Sequence, residues 1–290
     1  MSQSISPDRL SLLRALSVQH PTVESAIAAA AGLRAKLSLP KGVVHVISDI
    51  HGEDAKLRHV INNASGALRT LVEEVLGDRL SDAERAQFLA ILYYPREAIA
   101  RFAKGIVESG QRVEWVYRTL CMQFEIVRAL RVRYRRDVYE RLIPEEHREL
   151  FLELGSGLRP DYIKEMIVGL ARHDRDWAAV RGAARLIRNL SISELLVAGD
   201  LGDRGPRIDR VIEILMRQPR VRLLWGNHDM IWIGAMLGHE PCLLTTMRFS
   251  ARYRRAAQLE EGYGILTTPL EQLVREVYAD DPAERFIPKG

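Results

Sequence analysis

Cysteine is nearly absent from this chain: there are two in 290 residues, Cys121 and Cys242, far apart. That scarcity excludes a disulfide framework and a thiolate metal site, and it fits a reducing cytoplasm. Long apolar runs are missing as well. The nearest approach, "AIAAAAGL" (26–33), is too short to span a bilayer and lacks a cleavage context, so neither a membrane segment nor a targeting segment is expected. A large charge of one sign is also lacking. The 42 basic and 38 acidic residues leave a net charge of +4, too small for a dedicated nucleic-acid binder. No internal repeat or low-complexity tract occurs. What remains is an apolar fraction of 47% with four Trp, enough for the core of a globular chain.

Along the chain, residues 7–37 carry apolar positions at helical spacing, and "LPKG" (39–42) ends them. "VVHVIS" (43–48) is a β-branched apolar run that predicts a buried strand, running into "DIHG" (49–52). From about 54 to 190 the segments are long, Arg- and Glu-rich and amphipathic, broken at "YYPRE" (93–97) and "GSGLRPD" (155–161), which predicts mostly helix. "ELLVAGD" (194–200) predicts a second buried strand, "PRIDRVIEILMRQ" (206–218) a helix with Pro206 near its first turn, and "VRLLW" (221–225) a third strand. Residues 230–278 look helical. The organisation is therefore 1–53 with the first strand, 54–190 as a helical insertion, and 191–290 as a βαβ segment with trailing helices.

A βαβ unit puts the carboxyl ends of its parallel strands on one edge of the sheet, so "GDLGDRG" (199–205) and "GNHD" (226–229) open together. The first strand can deliver "DIHG" to the same edge, although 151 positions separate Asp49 from Asp200. Asp49 and His51 alternate about Ile50 and, at an extended strand end, point the same way and can grip one ion. Asp200 offers two oxygens that can bridge two ions, and Asn227 offers a neutral carbonyl oxygen to the second. Mixed oxygen and nitrogen ligands without sulfur suit Mn, Fe or Zn. Two such ions can clamp both sides of an in-line displacement at phosphorus. His228 is placed to protonate a leaving alkoxide, with Asp229 holding its ring in the right tautomer, and Arg204 gives a planar fork for phosphate oxygens. Each turn alone is an ordinary Asp/Gly or Asn turn. All three in order, each after a predicted strand, are not.

Asp49-x-His51, "GDLGDRG" and "GNHD" resemble the calcineurin-like metallophosphoesterase superfamily, and the "DRG" form resembles its protein-phosphatase branch. The wider context resembles the class 3 fructose-1,6-bisphosphatases: "LPKGVVHVISDIHGE" (39–53), "INNASG" (61–66), "LYYPRE" (92–97), "GDLGDRGPRID" (199–209), "WGNHDMIWIGA" (225–235) and "ARYRR" (251–255). The resemblance implies an α/β fold of metallophosphoesterase type, a β-sandwich flanked by helices and carrying a large helical insertion. It implies hydrolysis of the 1-phosphate of fructose 1,6-bisphosphate in gluconeogenesis, usually with manganese. In that family Asp49, His51, Asp200 and Asn227 would be metal ligands and His228 the acid, acting on a phosphorylated sugar.

One departure shapes the expectation. The resembled family completes its site with later histidines, including a Gly-x-His-type motif, and this chain has none after His239. The chain is thus expected to be an N-terminal portion, with a weak or empty second ion site and no activity alone. A homo-oligomer is compatible with the sequence. Two rivals stand beside this reading: a protein phosphatase or dinucleotide polyphosphate hydrolase with the same metal chemistry, and a non-catalytic binding or regulatory chain that keeps the fold. The arginine run "RALRVRYRRD" (Arg128, Arg131, Arg133, Arg135 and Arg136 beside Tyr134) reads as a solvated helix, and Trp225 and Trp232 read as core.

Overall fold

A computed structural model describes residues 6–106 and 108–282. Two helices, α1 (Pro7–Gln19) and α2 (Val23–Leu37), fill the first predicted helical stretch. They part at Pro21, whose ring disfavours helix in the residue before it, and Thr22 restarts the chain with a capping box to Ser25. Neither helix buries a residue. Strand β1 (Val44–Ile47) then leads into the helical region: α3 (Asp54–Asn62), α4 (Ala67–Leu76), α5 (Asp82–Tyr93), α6 (Pro95–Phe102), α7 (Ser109–Arg131), α8 (Arg136–Leu142), α9 (Arg148–Ser156), α10 (Pro160–Ala171) and α11 (Asp176–Ser191). Strand β2 (Glu194–Ala198), α12 (Ile208–Met216), β3 (Val221–Leu224), α13 (Asn227–Met236), α14 (Glu240–Arg252) and α15 (Thr268–Val277) complete the described chain.

The helical region has its own core. On α7, Val116, Leu120, Phe124 and Val127 follow the helical repeat and are fully buried against α11, where Ala179, Ala183 and Ala184 let the backbones approach. Phe124 meets Phe151 of α9 edge to face at 5.1 Å between ring centroids. The breaks follow local chemistry: Pro95 and Pro160 sit in the first turns of α6 and α10, and Gly157 takes the left-handed conformation that ends α9. The predicted arginine-rich helix is interrupted, because α7 stops at Arg131 and α8 begins only at Arg136.

The sheet is small, parallel and ordered β1-β2-β3. Val44 pairs with Glu194 and Leu196 with Arg222, which sets the three carboxyl ends side by side. A second, smaller core lies under one face, where Leu195 and Val197 meet Leu57 and Ile61 of α3 and Ile208, Val211 and Leu215 of α12.

Three expectations need correction. The strands are not uniformly buried: β3 reaches the smaller core only through the half-buried Val221, and on the opposite sheet face Val46 and Leu224 are 66% and 58% exposed. With only three strands and helices on one side, alternation leaves the outward residues uncovered, and β3, at the edge, exposes Leu223 as well. Trp225, read as core, is 69% exposed because it leaves β3 on the open edge, whereas Trp232 packs against the smaller core. Pro206 precedes α12 instead of entering it, since Arg207 is the cap residue.

Candidate metal centre

The carboxyl ends of the strands carry the three polar turns, and backbone hydrogen bonds lock the first two together. His51 N–H donates to the Asp200 carbonyl at 3.0 Å, Gly52 N–H to the Leu201 carbonyl at 2.7 Å, and Arg207 N–H to the Gly52 carbonyl at 3.1 Å. The loops lie so close that Gly205 has no room for a side chain: a Cβ there would sit 1.1 Å from the His51 carbonyl oxygen.

This packing brings Asp49, His51 and Asp200 together, with one ligand atom from each within 4.8 Å of the others. Asp49 and His51 do not reach the site from an extended strand end, as expected from their alternation. Both take positive φ, at 53° and 49°, as do Asp200 and Asp203 at 54° and 52°. Four non-glycine residues in the left-handed region within two adjoining turns represent stored backbone strain, of the kind that gathers at functional sites. Asp200 Oδ1 is buried with no hydrogen-bond partner among the described residues, and it lies 2.2 Å from where a Gly226 Cβ would be. A carboxylate oxygen desolvated and left without a donor fits a cation, and the mixed oxygen and imidazole donor set suits a first-row transition metal. Asn227, next to Gly226, begins α13 with an exposed side chain that makes no hydrogen bond among the described residues.

His228 follows on the first turn of α13, and its ring partner differs from the one expected. Its Nδ1 lies 3.1 Å from Oδ1 of Asp203, a buried carboxylate whose Oδ2 is 2.8 Å from Nε of Arg204 and 4.0 Å from Nε2 of His51. Asp229, assigned to that ring from sequence, instead accepts three backbone N–H bonds: from Asp200 at 2.7 Å, Leu201 at 2.9 Å and Gly226 at 2.8 Å. Successive residues on a helix point about 100° apart, so adjacency in sequence turned Asp229 away from its neighbour. Asp229 is thus a clasp between the second and third turns.

Arg204 is more than half exposed, and its guanidinium lies 5.9 Å from the Tyr253 ring, with the Asp203 carboxylate raising its pKa through a hydrogen bond. Phe249 of α14 meets the His228 ring at 5.6 Å, and Arg255 Nε donates to the Arg204 carbonyl. Sequence reasoning missed Asp203 and Phe249. Asp203 lay within the quoted "GDLGDRG" but received no role, and Phe249 carries no local signal. "ARYRR" does reach the site, through Tyr253 and Arg255. His239 caps α14 and is not part of the ligand cluster.

Comparison with known proteins followed the same lines. The family model for Firmicute fructose-1,6-bisphosphatase matches residues 11–290. The chain is 33% identical over 287 residues to a protein of Clostridium acetobutylicum called "Fructose-1,6-bisphosphatase class 3", covering 97% of this chain and 43% of that one. It is 32% identical over 285 residues to a Clostridium novyi protein of the same name, covering 97% of this chain and 42% of the relative. The chain therefore spans less than half the length of these curated relatives. No solved structure matches it.

Proposed function

Since the chain belongs to the Firmicute fructose-1,6-bisphosphatase family, we propose that it serves the hydrolysis of fructose 1,6-bisphosphate to fructose 6-phosphate and phosphate, the gluconeogenic reaction for which its relatives are named. The observation that carries this reading is the unpartnered, buried Oδ1 of Asp200 within reach of Asp49 and His51, on the same edge as an exposed arginine fork. Asp49, His51 and Asp200 would hold a first manganese ion, and Asp200 with Asn227 a second. When bound, such ions polarise the phosphoryl group and lower the pKa of bound water.

The remaining chemistry falls to side chains. Arg204 presents donors to two phosphate oxygens, and its pairing with Asp203 fixes the plane of the fork. His228 delivers a proton to the departing sugar oxygen from Nε2, since Nδ1 faces Asp203. Phe249 covers one side of that ring and limits its rotation. Asp229 acts on this chemistry indirectly, by fixing the two turns that carry the ligands and His228.

The fold proposal goes with the functional one. The uncovered apolar face of the sheet supports a metallophosphoesterase-type sandwich, in which a second layer would cover Val46 and Leu224. The division at residues 53 and 190 belongs to the same proposal, with α3 packing through Leu57 and Ile61 into the sheet core and the helices from α4 to α11 into the larger one. No described helix is long and apolar enough to cross a membrane, and both cysteines are free, in keeping with a cytoplasmic setting. A second ion with only Asp200 and Asn227 from this chain should be weakly held, and turnover by this chain alone correspondingly low. The shared name of the relatives gives no support to a phosphoprotein or dinucleotide substrate.

Manganese titration of the metal-free protein by calorimetry tests the reading, with Asp200→Ala beside it. One ion per chain is expected, with at least a tenfold loss of affinity in the variant. Binding of no ion would overturn the site, and two tight ions would overturn the incomplete second position. Phosphate release with added manganese should favour fructose 1,6-bisphosphate over a phosphopeptide or a dinucleotide polyphosphate. The reverse preference would sink the substrate assignment.

A further inference from the structure

Away from the strand edge, the helical region carries a half-open cavity of about 570 Å³ lined by five arginines: Arg96 of α6 and Arg175, Arg181, Arg185 and Arg188 at the start and along one face of α11. Its volume lies in the range of small-molecule sites. The charge is poorly balanced. Glu146 is the one acidic residue in the lining, and it pairs with Arg185 at 3.2 Å. Arg96, Arg175, Arg181 and Arg188 have no carboxylate within ion-pair distance among the described residues. Spacings of four and three bring Arg181, Arg185 and Arg188 onto one helix face. The amino end of α11, with Arg175 as its cap residue, opens toward the same space and adds the positive end of a 16-residue helix.

Two buried groups separate this cavity from an ordinary basic surface. Arg188 is largely withdrawn from water, and burial together with the neighbouring Arg185 lowers its pKa to about 10, which leaves it cationic at neutral pH. Its one partner among the described residues is the Leu92 carbonyl, at 2.7 Å, which takes one of its five donors. His147 is 7% exposed, lines the cavity, and leaves Nδ1 buried without a hydrogen-bond partner. Gly182 opposite it makes room for this fit, since a Cβ there would lie 3.0 Å from the imidazole ring. A guanidinium largely withdrawn from water and short of acceptors, set beside other arginines without carboxylate partners, forms a lining built for an anion.

We propose that this cavity binds a small, multiply charged phosphorylated anion. Arg181 and Arg188 would hold its oxygens in bidentate fashion, and Arg96 and Arg175 would close the rim. Every lining residue belongs to the helical region, so the site is distinct from the metal cluster and from Arg204. A concave pocket of this size selects a small anion over a polynucleotide backbone, which needs an extended basic path.

The test is calorimetric titration of the metal-free protein with inorganic pyrophosphate, in the presence of a chelator. Saturable binding of one pyrophosphate per chain is expected, weakened at least tenfold by Arg181→Gln and by Arg175→Gln. Neither side chain has a hydrogen-bond or ion-pair partner among the described residues, so both variants should melt with the wild type. Asp200→Asn at the metal cluster and Arg131→Gln at the other arginine-rich cavity should bind as tightly as wild type. Absence of saturable binding, unchanged affinity in folded Arg181→Gln and Arg175→Gln, or a loss confined to Asp200→Asn or Arg131→Gln would overturn the site. Tighter binding of a single-stranded RNA oligonucleotide than of pyrophosphate would overturn the small-anion assignment.

Discussion

Replacing Asp229 distinguishes a clasp from a catalytic helper. Its carboxylate is 7% exposed and receives N–H bonds from Asp200, Leu201 and Gly226 at 2.7–2.9 Å. Hydrogen bonds to a charged group are each worth about 1.5–3 kcal/mol. Two of the three donors sit in partly exposed surroundings where water can replace the lost acceptor, so the Asp229→Ala cost is set at about 4 kcal/mol, below the simple sum. Asp229→Asn keeps one oxygen. With that oxygen at Oδ2, the bonds from Asp200 and Gly226 survive, while an amide N–H₂ faces the buried Leu201 N–H, for a cost of about 2 kcal/mol. Urea denaturation of the metal-free proteins measures both, and the slope of stability against urea should be unchanged. A residue whose task was to orient His228 would leave metal-free stability nearly intact. A loss below about 1 kcal/mol in Asp229→Ala would refute the clasp.

Two further perturbations follow from the same structure. Gly205→Ala drives a methyl group into the His51 carbonyl, so the two turns must separate; manganese affinity should fall at least tenfold while the helical core stays folded, as read by calorimetry and far-ultraviolet circular dichroism. Unchanged affinity would show that the turns tolerate the displacement. Burial lowers the pKa of His147 from its ordinary 6.5, so in that range the unfolded chain binds a proton that the folded chain refuses. Stability should therefore decline as pH falls below about 6.5, and His147→Gln should soften the decline in thermal melts between pH 7 and 5. A melting temperature that falls equally in both proteins would contradict this.

Much of the architecture could be read from the chain because its signals are local. Each strand is a short apolar run ending at a polar turn, and the alternation of strand, helix and strand over 194–225 specifies parallel pairing and one shared edge. The convergence of Asp49, His51 and Asp200 follows from that topology. Failures came where the answer depends on three-dimensional neighbours. Asp203 reaches His228 across two loops, whereas Asp229, its neighbour in sequence, points elsewhere. The left-handed backbone at Asp49 and His51 follows from close loop packing against Gly205, which alternation in a strand cannot reveal. The exposure of Trp225 reflects the small number of strands, a property of the whole sheet. Arg181, Arg185 and Arg188 are visible as a helical stripe in the sequence, yet a stripe alone reads as a solvated face. Only His147 and Arg96, arriving from other elements, turn it into a cavity.

The pairing of Val44 with Glu194 has a consequence for the order in which the molecule is made. In an unfolded chain, joining β1 to β2 closes a loop of about 150 residues, an entropic cost of roughly 4–5 kcal/mol that a four-residue ladder poorly offsets. The helical region removes most of that cost if it folds first, since its large core is separate from the sheet core. Once compact, it presents both ends of the loop near each other, and the strands pair as neighbours. The metal-ligand turns, which hang from those strands, are then the last part of the molecule to acquire their geometry. A helical region that looks remote from the chemistry acts as the jig on which the ligand cluster is assembled.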